Sequence, residues 1–427
     1  MVDVDIPAFK AVDSQDSGKK KAQVDKNISK KRVLIIEDLG EMRLMLKSLM
    51  TSLGYQKIDI EPSGQSAIKR VLDIKYDIVL SDFNLGGSID GQQILETTRK
   101  TYSLDHSTIF IMITADTAYE AVVSVLEYQP DSYLVKPFPP QAFIRRLGKV
   151  RQQKKVFEPL NKARMDQDYE KVIELAKEIK ATLPQYTHLC QKSIGEALFA
   201  LQRYKEAKTH YLVIIKEHKN LAWAHYGIAQ CELKLGAIVA AIKSLEQTIT
   251  LSRHFLSAYD TLADAHEKLE NYEQAQIALK SVLEVSPRSI ERSKRLAELS
   301  TKVKDWQMAE FAYSRAIRLS RDTEAETYDL YYGHLQSITQ MIEEGSDVKK
   351  LNDKFKRSLT RLRIIGKQNP AAVSNSFRIE VQQYVTRNHV AEAVKSWKTW
   401  RRLMDDGMAA PLTEAQEYTL KKRLGLQ

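Results

Sequence analysis

Tyr76-Asp77-Ile78-Val79-Leu80-Ser81-Asp82-Phe83-Asn84-Leu85 is the stretch from which the fold can be read. Ile78-Val79-Leu80 is too short for a helix and rich in β-branched side chains, the pattern of a strand buried on both faces. It runs into Asp82 and then into Gly86-Gly87, so a carboxylate stands at its C-terminal end, where open α/β sheets place their ligands. One aspartate after a strand says little. Three further strand-like runs, however, also end in chemically loaded residues.

Upstream, Val33-Leu34-Ile35-Ile36 closes on Glu37-Asp38. Met42, Leu44, Met45, Leu46, Leu49 and Met50 follow at helical spacing and stop at Gly54. Ile58-Asp59-Ile60 predicts a short strand, and 64–74 a helix. Downstream of Asp82 come a Gly-rich loop and a helix over 92–102, then Ile109 to Ile113 ending at Thr114. A helix over 118–128 precedes Ser132-Tyr133-Leu134-Val135, which ends at Lys136-Pro137, and a last helix runs from 141 towards 156. Five β/α units in succession predict a doubly wound, flavodoxin-like α/β fold with a five-stranded parallel sheet.

Glu37, Asp38, Asp82, Thr114 and Lys136 then fall on one edge of that sheet. Clustered carboxylates repel one another unless a cation sits among them, and hard oxygen ligands with open positions suit Mg²⁺. Asp82 can act as a nucleophile that forms an acyl phosphate. Lys136 supplies a point charge for phosphoryl oxygens and Thr114 a hydroxyl donor. The chemistry that these residue types point to is phosphoryl transfer onto Asp82.

On these residues, 32–150 resembles a response-regulator receiver domain of two-component signalling. The resemblance implies Mg²⁺ held by Glu37, Asp38, Asp82 and the backbone carbonyl of Asn84, with Asp82 as phosphoacceptor. It also implies Thr114 and Tyr133 as the switch pair and a cis Lys136-Pro137 bond that positions the lysine. Two departures stand out. The acidic pair is Glu-Asp where Asp-Asp is commoner, and the loop Gly86-Gly87-Ser88-Ile89-Asp90-Gly91 lacks the usual proline and is one residue longer.

Beyond 152 the strands stop and a 34-residue period begins. Ala207, Tyr211 and Ile214 recur as Ala241, Leu245 and Thr248, then Ala275, Leu279 and Val282, then Ala309, Tyr313 and Ala316. Upstream partners keep step at Ile194-Gly195, Ile228-Ala229, Leu262-Ala263 and Leu296-Ala297, small residues that let helices approach closely. This resembles tetratricopeptide (TPR) repeats, with units from 188, 222, 256 and 290 and the clearest region at 188–323. An earlier unit from 153 fits with one extra residue, and a degenerate unit from 374 (Tyr384, Val390, Ala393, Trp397) fits loosely. The stretch 324–373 is helical in pattern, with an enlarged loop expected around 343–346. The chain therefore divides into a disordered tail over 1–31, a receiver over 32–152 and an all-α helical solenoid over 153–427.

Composition sets outer limits. The chain has 427 residues, 43% hydrophobic and 28% charged, as in a soluble globular protein. With no apolar run of membrane-spanning length, no signal core and two cysteines, Cys190 and Cys231, a cytoplasmic location is expected. The net charge of +10 arises after residue 150, where 45 Lys and Arg face 35 Asp and Glu. The tryptophans and both cysteines are expected in the helical core, and His210, His225, His254 and His266 lack metal-ligand spacing.

The leading expectation is a signalling adaptor that takes a phosphoryl group from a histidine kinase or phosphotransfer protein. Phosphorylation then changes which protein the repeats bind, or makes the receiver a homodimer. The other function class is a regulator whose basic repeats bind RNA or DNA; no aromatic-basic signature favours it. A separate enzymatic activity ranks last, since the helical half holds no acid/base or metal cluster and the receiver catalyses only its own phosphoryl transfer and hydrolysis.

Overall fold

The structure is a computed structural model that describes residues 28–86, 89–100, 107–115, 130–323 and 325–426. The helix expected over 118–128, the end of the one expected over 92–102 and residues 1–27 of the expected tail lie outside them. Strands β1 (Arg32–Ile36), β2 (Lys57–Glu61), β3 (Ile78–Asp82), β4 (Ile109–Thr114) and β5 (Ser132–Val135) form one parallel sheet in the order β2-β1-β3-β4-β5. The winding reverses between β1 and β3, so their C-terminal ends stand side by side at the switch point.

Period-two alternation assigns the two faces. Val33, Ile35, Ile78 and Leu80 meet Leu46 and Met50 of α1 (Gly40–Ser52). Leu34, Ile36 and Val79 meet Ala67 and Val71 of α2 (Gly64–Asp73), together with Ile94 and Leu95 of α3 (Gly91–Lys100). Two local expectations are corrected. Leu44, counted in the apolar run of the first helix, is 68% exposed, because the 3.6-residue period turns it away from Leu46 and Met50. The tail does not extend to residue 31: Ile28–Lys30 is a short 3₁₀ turn, and the Ile28 side chain is buried in the sheet core.

The last helix of the α/β unit, read from the pattern as running from 141 towards 156 with no Gly/Pro-rich break before the first repeat, continues into the array. Helix α4 (Pro140–Met165) runs 26 residues and crosses the boundary placed at 152/153 without interruption. Phe143, Leu147 and Val150 belong to the sheet core, whereas Phe157, Leu160 and Ala163 belong to the core of the array. One helix thus carries residues of both cores.

Fourteen α-helices follow α4 among the described residues: α5 (Tyr169–Thr182), α6 (Thr187–Ala200), α7 (Tyr204–Glu217), α8 (Ala222–Lys234), α9 (Ile238–Leu251), α10 (Leu256–Lys268), α11 (Tyr272–Val285), α12 (Ile290–Lys302), α13 (Trp306–Ser320), α14 (Tyr328–Glu343), α15 (Val348–Ile365), α16 (Pro370–Thr386), α17 (Val390–Asp405) and α18 (Glu414–Arg423). The period is visible in the backbone. Gln202, Gly236, Glu270 and Lys304 end successive first helices in the left-handed region, with φ of 59°, 79°, 59° and 61°. The amide that follows each one returns to a carbonyl of the preceding helix, as in Ala237 N–H to Glu232 O at 2.9 Å.

Close approach is equally concrete. The Tyr211 ring lies between Gly195 and Gly227, and a β-carbon at either glycine would overlap it. The loop expected to be enlarged near 343–346 is only the four residues 344–347; the additional residues instead lengthen α15 to 18. The unit expected from 374 starts at Pro370, where the Asn369 carboxamide oxygen accepts from the amides of Ala371 and Ala372. Within it, Ala393 and Trp397 are buried as expected, but Val390 is exposed.

Candidate functional site

Five of the predicted site residues reach the sheet edge by their place at a strand end. Glu37 and Asp38 follow β1, Asp82 ends β3, Thr114 ends β4 and Lys136 follows β5. The carboxylates of Glu37, Asp38 and Asp82 converge, with one oxygen of each within 4.8 Å of the others. Glu37 is fully buried and Asp82 is 6% exposed. The Lys136 ammonium donates to Glu37 Oε2 and to Asp82 Oδ2, both at 2.8 Å. Burial pushes the Glu37 carboxyl above the ordinary glutamate range, against the hydrogen bond from Lys136. Burial also opposes the charge on Lys136, but the hydrogen bonds to Asp82 and Glu37 outweigh it and hold its pKa above the usual lysine value.

The structure places the other predicted residues close to the same edge. Asn84 is exposed two residues past Asp82, and its amide donates to Asp82 Oδ1 at 3.3 Å. Thr114 is fully buried, and its carbonyl accepts the Lys136 amide at 2.7 Å. The Lys136-Pro137 bond is cis. Tyr133 is half-buried, with the Arg146 guanidinium of α4 5.2 Å from its ring centroid.

The donor set suits a hard divalent cation. Three carboxylates against one ammonium leave a net negative cluster. Asp38 Oδ1 is buried with no hydrogen-bond partner among the described residues, an acceptor that an ion would satisfy. Gly86, at φ 63°, keeps open the space beside Asp38, since a β-carbon there would stand 3.1 Å from Asp38 Oδ2.

Residues 33–148 match the family model for the response regulator receiver domain. They are a receiver domain. Residues 256–289 match the tetratricopeptide repeat model and are a TPR repeat. The receiver is 28% identical over 119 residues to the chemotaxis protein CheY-3 of Vibrio cholerae, spanning 28% of this chain and 90% of that one. It is likewise 28% identical over 120 residues to CheY of Thermotoga maritima, spanning 28% and 97%. Among solved structures, the chain is similar to a tetratricopeptide repeat protein from Parabacteroides merdae, 15% identical, at a TM-score of 0.34 over 64% of this chain and 97% of that one.

Sequence reasoning missed two residues that organise the receiver. Arg43, on the first turn of α1, donates from Nη1 to the carbonyls of Glu37 (2.8 Å) and Asp38 (2.7 Å), clamping the acidic loop. Asp131, before β5, accepts from the Phe110 amide at 2.8 Å and pairs with Lys154 of α4 at 2.7 Å. A basic residue one turn past an acidic pair was the available signal for Arg43; nothing local marked Asp131.

In the array, Cys190 and Cys231 are fully buried, and burial pushes the Cys231 thiol up to about 11. His334 went unnoticed because it lies where the repeat pattern is weakest. It is buried between Ser358 Oγ (2.9 Å from Nδ1) and Glu310 Oε1 (3.1 Å from Nε2), tying α13, α14 and α15 together. No described helix is long and apolar enough to cross a membrane.

Proposed function

We propose that this chain is a phosphorylation-dependent response regulator whose receiver controls the protein contacts of its repeats. Its donors are a histidine kinase, a phosphotransfer protein or a small acyl phosphate. The observation that carries the reading is the Lys136 ammonium held equally by Glu37 and Asp82, beside an Asp38 oxygen with no partner. An Asp82 carboxylate oxygen attacks the donor's phosphorus. The donor's P–N or P–O bond breaks, its electron pair stays with the donor, and Asp82 becomes an acyl phosphate. Lys136 transfers its hydrogen bond from the Asp82 carboxylate to a phosphoryl oxygen, and the Thr114 hydroxyl donates to another. Glu37, Asp38, Asp82 and the Asn84 carbonyl are the residues that would hold Mg²⁺, which when bound offsets repulsion between the carboxylates and the incoming phosphoryl group.

Because a proton and a cation compete for Glu37, Mg²⁺ affinity should fall on acidification. The fall should begin above the ordinary glutamate range, since burial raises the Glu37 carboxyl in the folded chain. Calorimetric Mg²⁺ titration at a series of pH values reads this directly. An affinity that stays flat until ordinary carboxylates titrate would contradict a raised Glu37 carboxyl, and an unchanged affinity in Glu37→Gln would remove Glu37 from the ligand set.

The division into a receiver that ends near 152 and an array over 153–427 belongs to this proposal, with α4 as the mechanical link. Tyr133 meets α4 through Arg146, and Asp131 meets it through Lys154, so a change at the switch pair is felt by the helix that enters the array core. A coupling free energy of about 1–3 kcal/mol is expected. Hydrogen exchange on the intact chain with an acyl phosphate and Mg²⁺ tests it: protection should change beyond Phe157. Protection altered only before that residue would leave receiver dimerisation as the output. Protein is the favoured partner over nucleic acid because several array arginines are already paired within it, among them Arg361 with Glu326 and Arg363 with Glu380.

A further inference from the structure

The receiver touches the array at a second place, remote from α4 in sequence. Glu96, on α3, is 7% exposed, and Arg292, on α12, is 6% exposed. Arg292 Nη2 donates to Glu96 Oε1 at 3.1 Å and also to Asp260 Oδ2 of α10 at 2.7 Å, while its Nε donates to Asp260 Oδ1 at 2.9 Å. A single buried guanidinium is therefore shared between an array carboxylate and a receiver carboxylate. The array's Arg288 also acts on Asp90 at the start of α3, where its charge partly offsets the burial that raises that carboxyl.

The contact is wired to the phosphoacceptor. Helix α3 starts at Gly91, whose amide donates to the Phe83 carbonyl at 2.9 Å. A β-carbon at Gly91 would overlap the Asp82 carbonyl oxygen, so α3 starts flush against the strand that carries Asp82. Asp90 and Gln93 close this start reciprocally, each side chain accepting from the other's amide, at 2.8 and 3.0 Å. Glu96 lies five residues on, about 7.5 Å along the helix axis. A shift of α3 by about 1 Å takes a 3.1 Å hydrogen bond outside bonding range.

We propose that the array face around Arg292 is an interaction surface whose resting occupant is helix α3 of this chain, and that phosphorylation of Asp82 vacates it. This rests on the phosphoacceptor reading above. A buried ion pair gives little net stability, because its mutual attraction is largely cancelled by lost hydration, but it fixes one docking register. Such a contact opens at small cost, since both groups regain water. The phosphoryl group adds roughly 1.5–2 negative charges beside the start of α3 and draws Lys136 away from Asp82 and Glu37. Helix α3 then re-seats on the modified strand end, and Glu96 leaves Arg292 paired with Asp260 alone.

Pulsed electron resonance on the intact chain tests the latch. Spin labels go on Leu72→Cys of α2 and Ile277→Cys of α11, positions 57% and 53% exposed, while Cys190 and Cys231 are fully buried. Without a phosphoryl donor the label–label distances should form one narrow distribution. It should broaden and shift on adding acetyl phosphate with Mg²⁺, and in Glu96→Arg without any donor; Glu96→Gln should give a partial shift. Intact-mass measurement on the same samples reports phosphorylation independently. A mass increase with an unmoved distribution overturns the latch and leaves the phosphoacceptor reading standing. Without a mass increase that reading fails instead, and the Glu96 variants decide the docking contact by themselves: a distribution unmoved in Glu96→Arg overturns it.

Discussion

Asp82→Asn should abolish Mg²⁺-dependent labelling by a small acyl phosphate. The substitution keeps the shape of the side chain but removes the anionic oxygen that must attack phosphorus. Among the described residues no other carboxylate is placed to replace it. Glu37 is fully buried and already accepts from Lys136 and, at 3.4 Å, from the Leu39 amide, while Asp38 lies on the neighbouring loop after β1. The loss should be to background, since the nucleophile is removed and not merely weakened. Intact mass and acid-labile phosphate read the result, and labelling of the variant at the wild-type level would mean that the nucleophile has been misassigned. Lys136→Ala makes the complementary case. It should leave Mg²⁺ binding largely intact, because the ammonium pairs with the ligand carboxylates and is not itself a ligand. The response to phosphorylation should nevertheless weaken, as the phosphoryl group loses its cationic partner.

The second large effect is structural. Phe157→Ala should destabilise the start of the array by about 3–5 kcal/mol, the usual range for truncating a buried phenylalanine. Phe157 is 7% exposed and meets Tyr186 edge-to-face with ring centroids 5.4 Å apart. It sits on the part of α4 whose neighbours Leu160 and Ala163 join the core of the first repeats. Repeat arrays are stabilised by nearest-neighbour contacts, so the loss should be local, with early unfolding of α5 and α6 and near-normal behaviour from α10 onward. Asp82 labelling should survive, since Phe143, Leu147 and Val150 still anchor α4 to the sheet. Urea unfolding followed by segment-resolved hydrogen exchange checks both statements. A loss below about 1 kcal/mol would mean that the α4–array contact is peripheral.

Much of this molecule is written locally. Ile78-Val79-Leu80 running into Asp82 is legible because a fully buried parallel strand needs an unbroken apolar run. Glu37, Thr114 and Lys136 are legible because ligands of such sheets gather at strand ends. The 34-residue period is legible because each repeat solves the same packing problem, with small residues wherever an aromatic ring of a neighbouring helix must pass, as Gly195 and Gly227 do around Tyr211. The helix boundaries were less legible. Leu44 and Val390 are apolar yet exposed, and α15 absorbed residues expected in a loop, since periodicity marks a face but not where a helix stops.

What the sequence by itself determined was therefore the two architectures, their order along the chain and the residue types gathered at the sheet edge. Only the tertiary structure decided the pairings: Lys136 with Glu37 across 99 positions, Asp131 with Lys154 of a helix that enters the second core, and Arg292 with Glu96 across 196 positions. The physical reason is range. Burial of apolar surface repeats with the period of a helix or strand and leaves its trace in neighbouring residues. The choice of one carboxylate for one guanidinium is made by whichever surfaces packing brings together, and leaves no local trace in either segment.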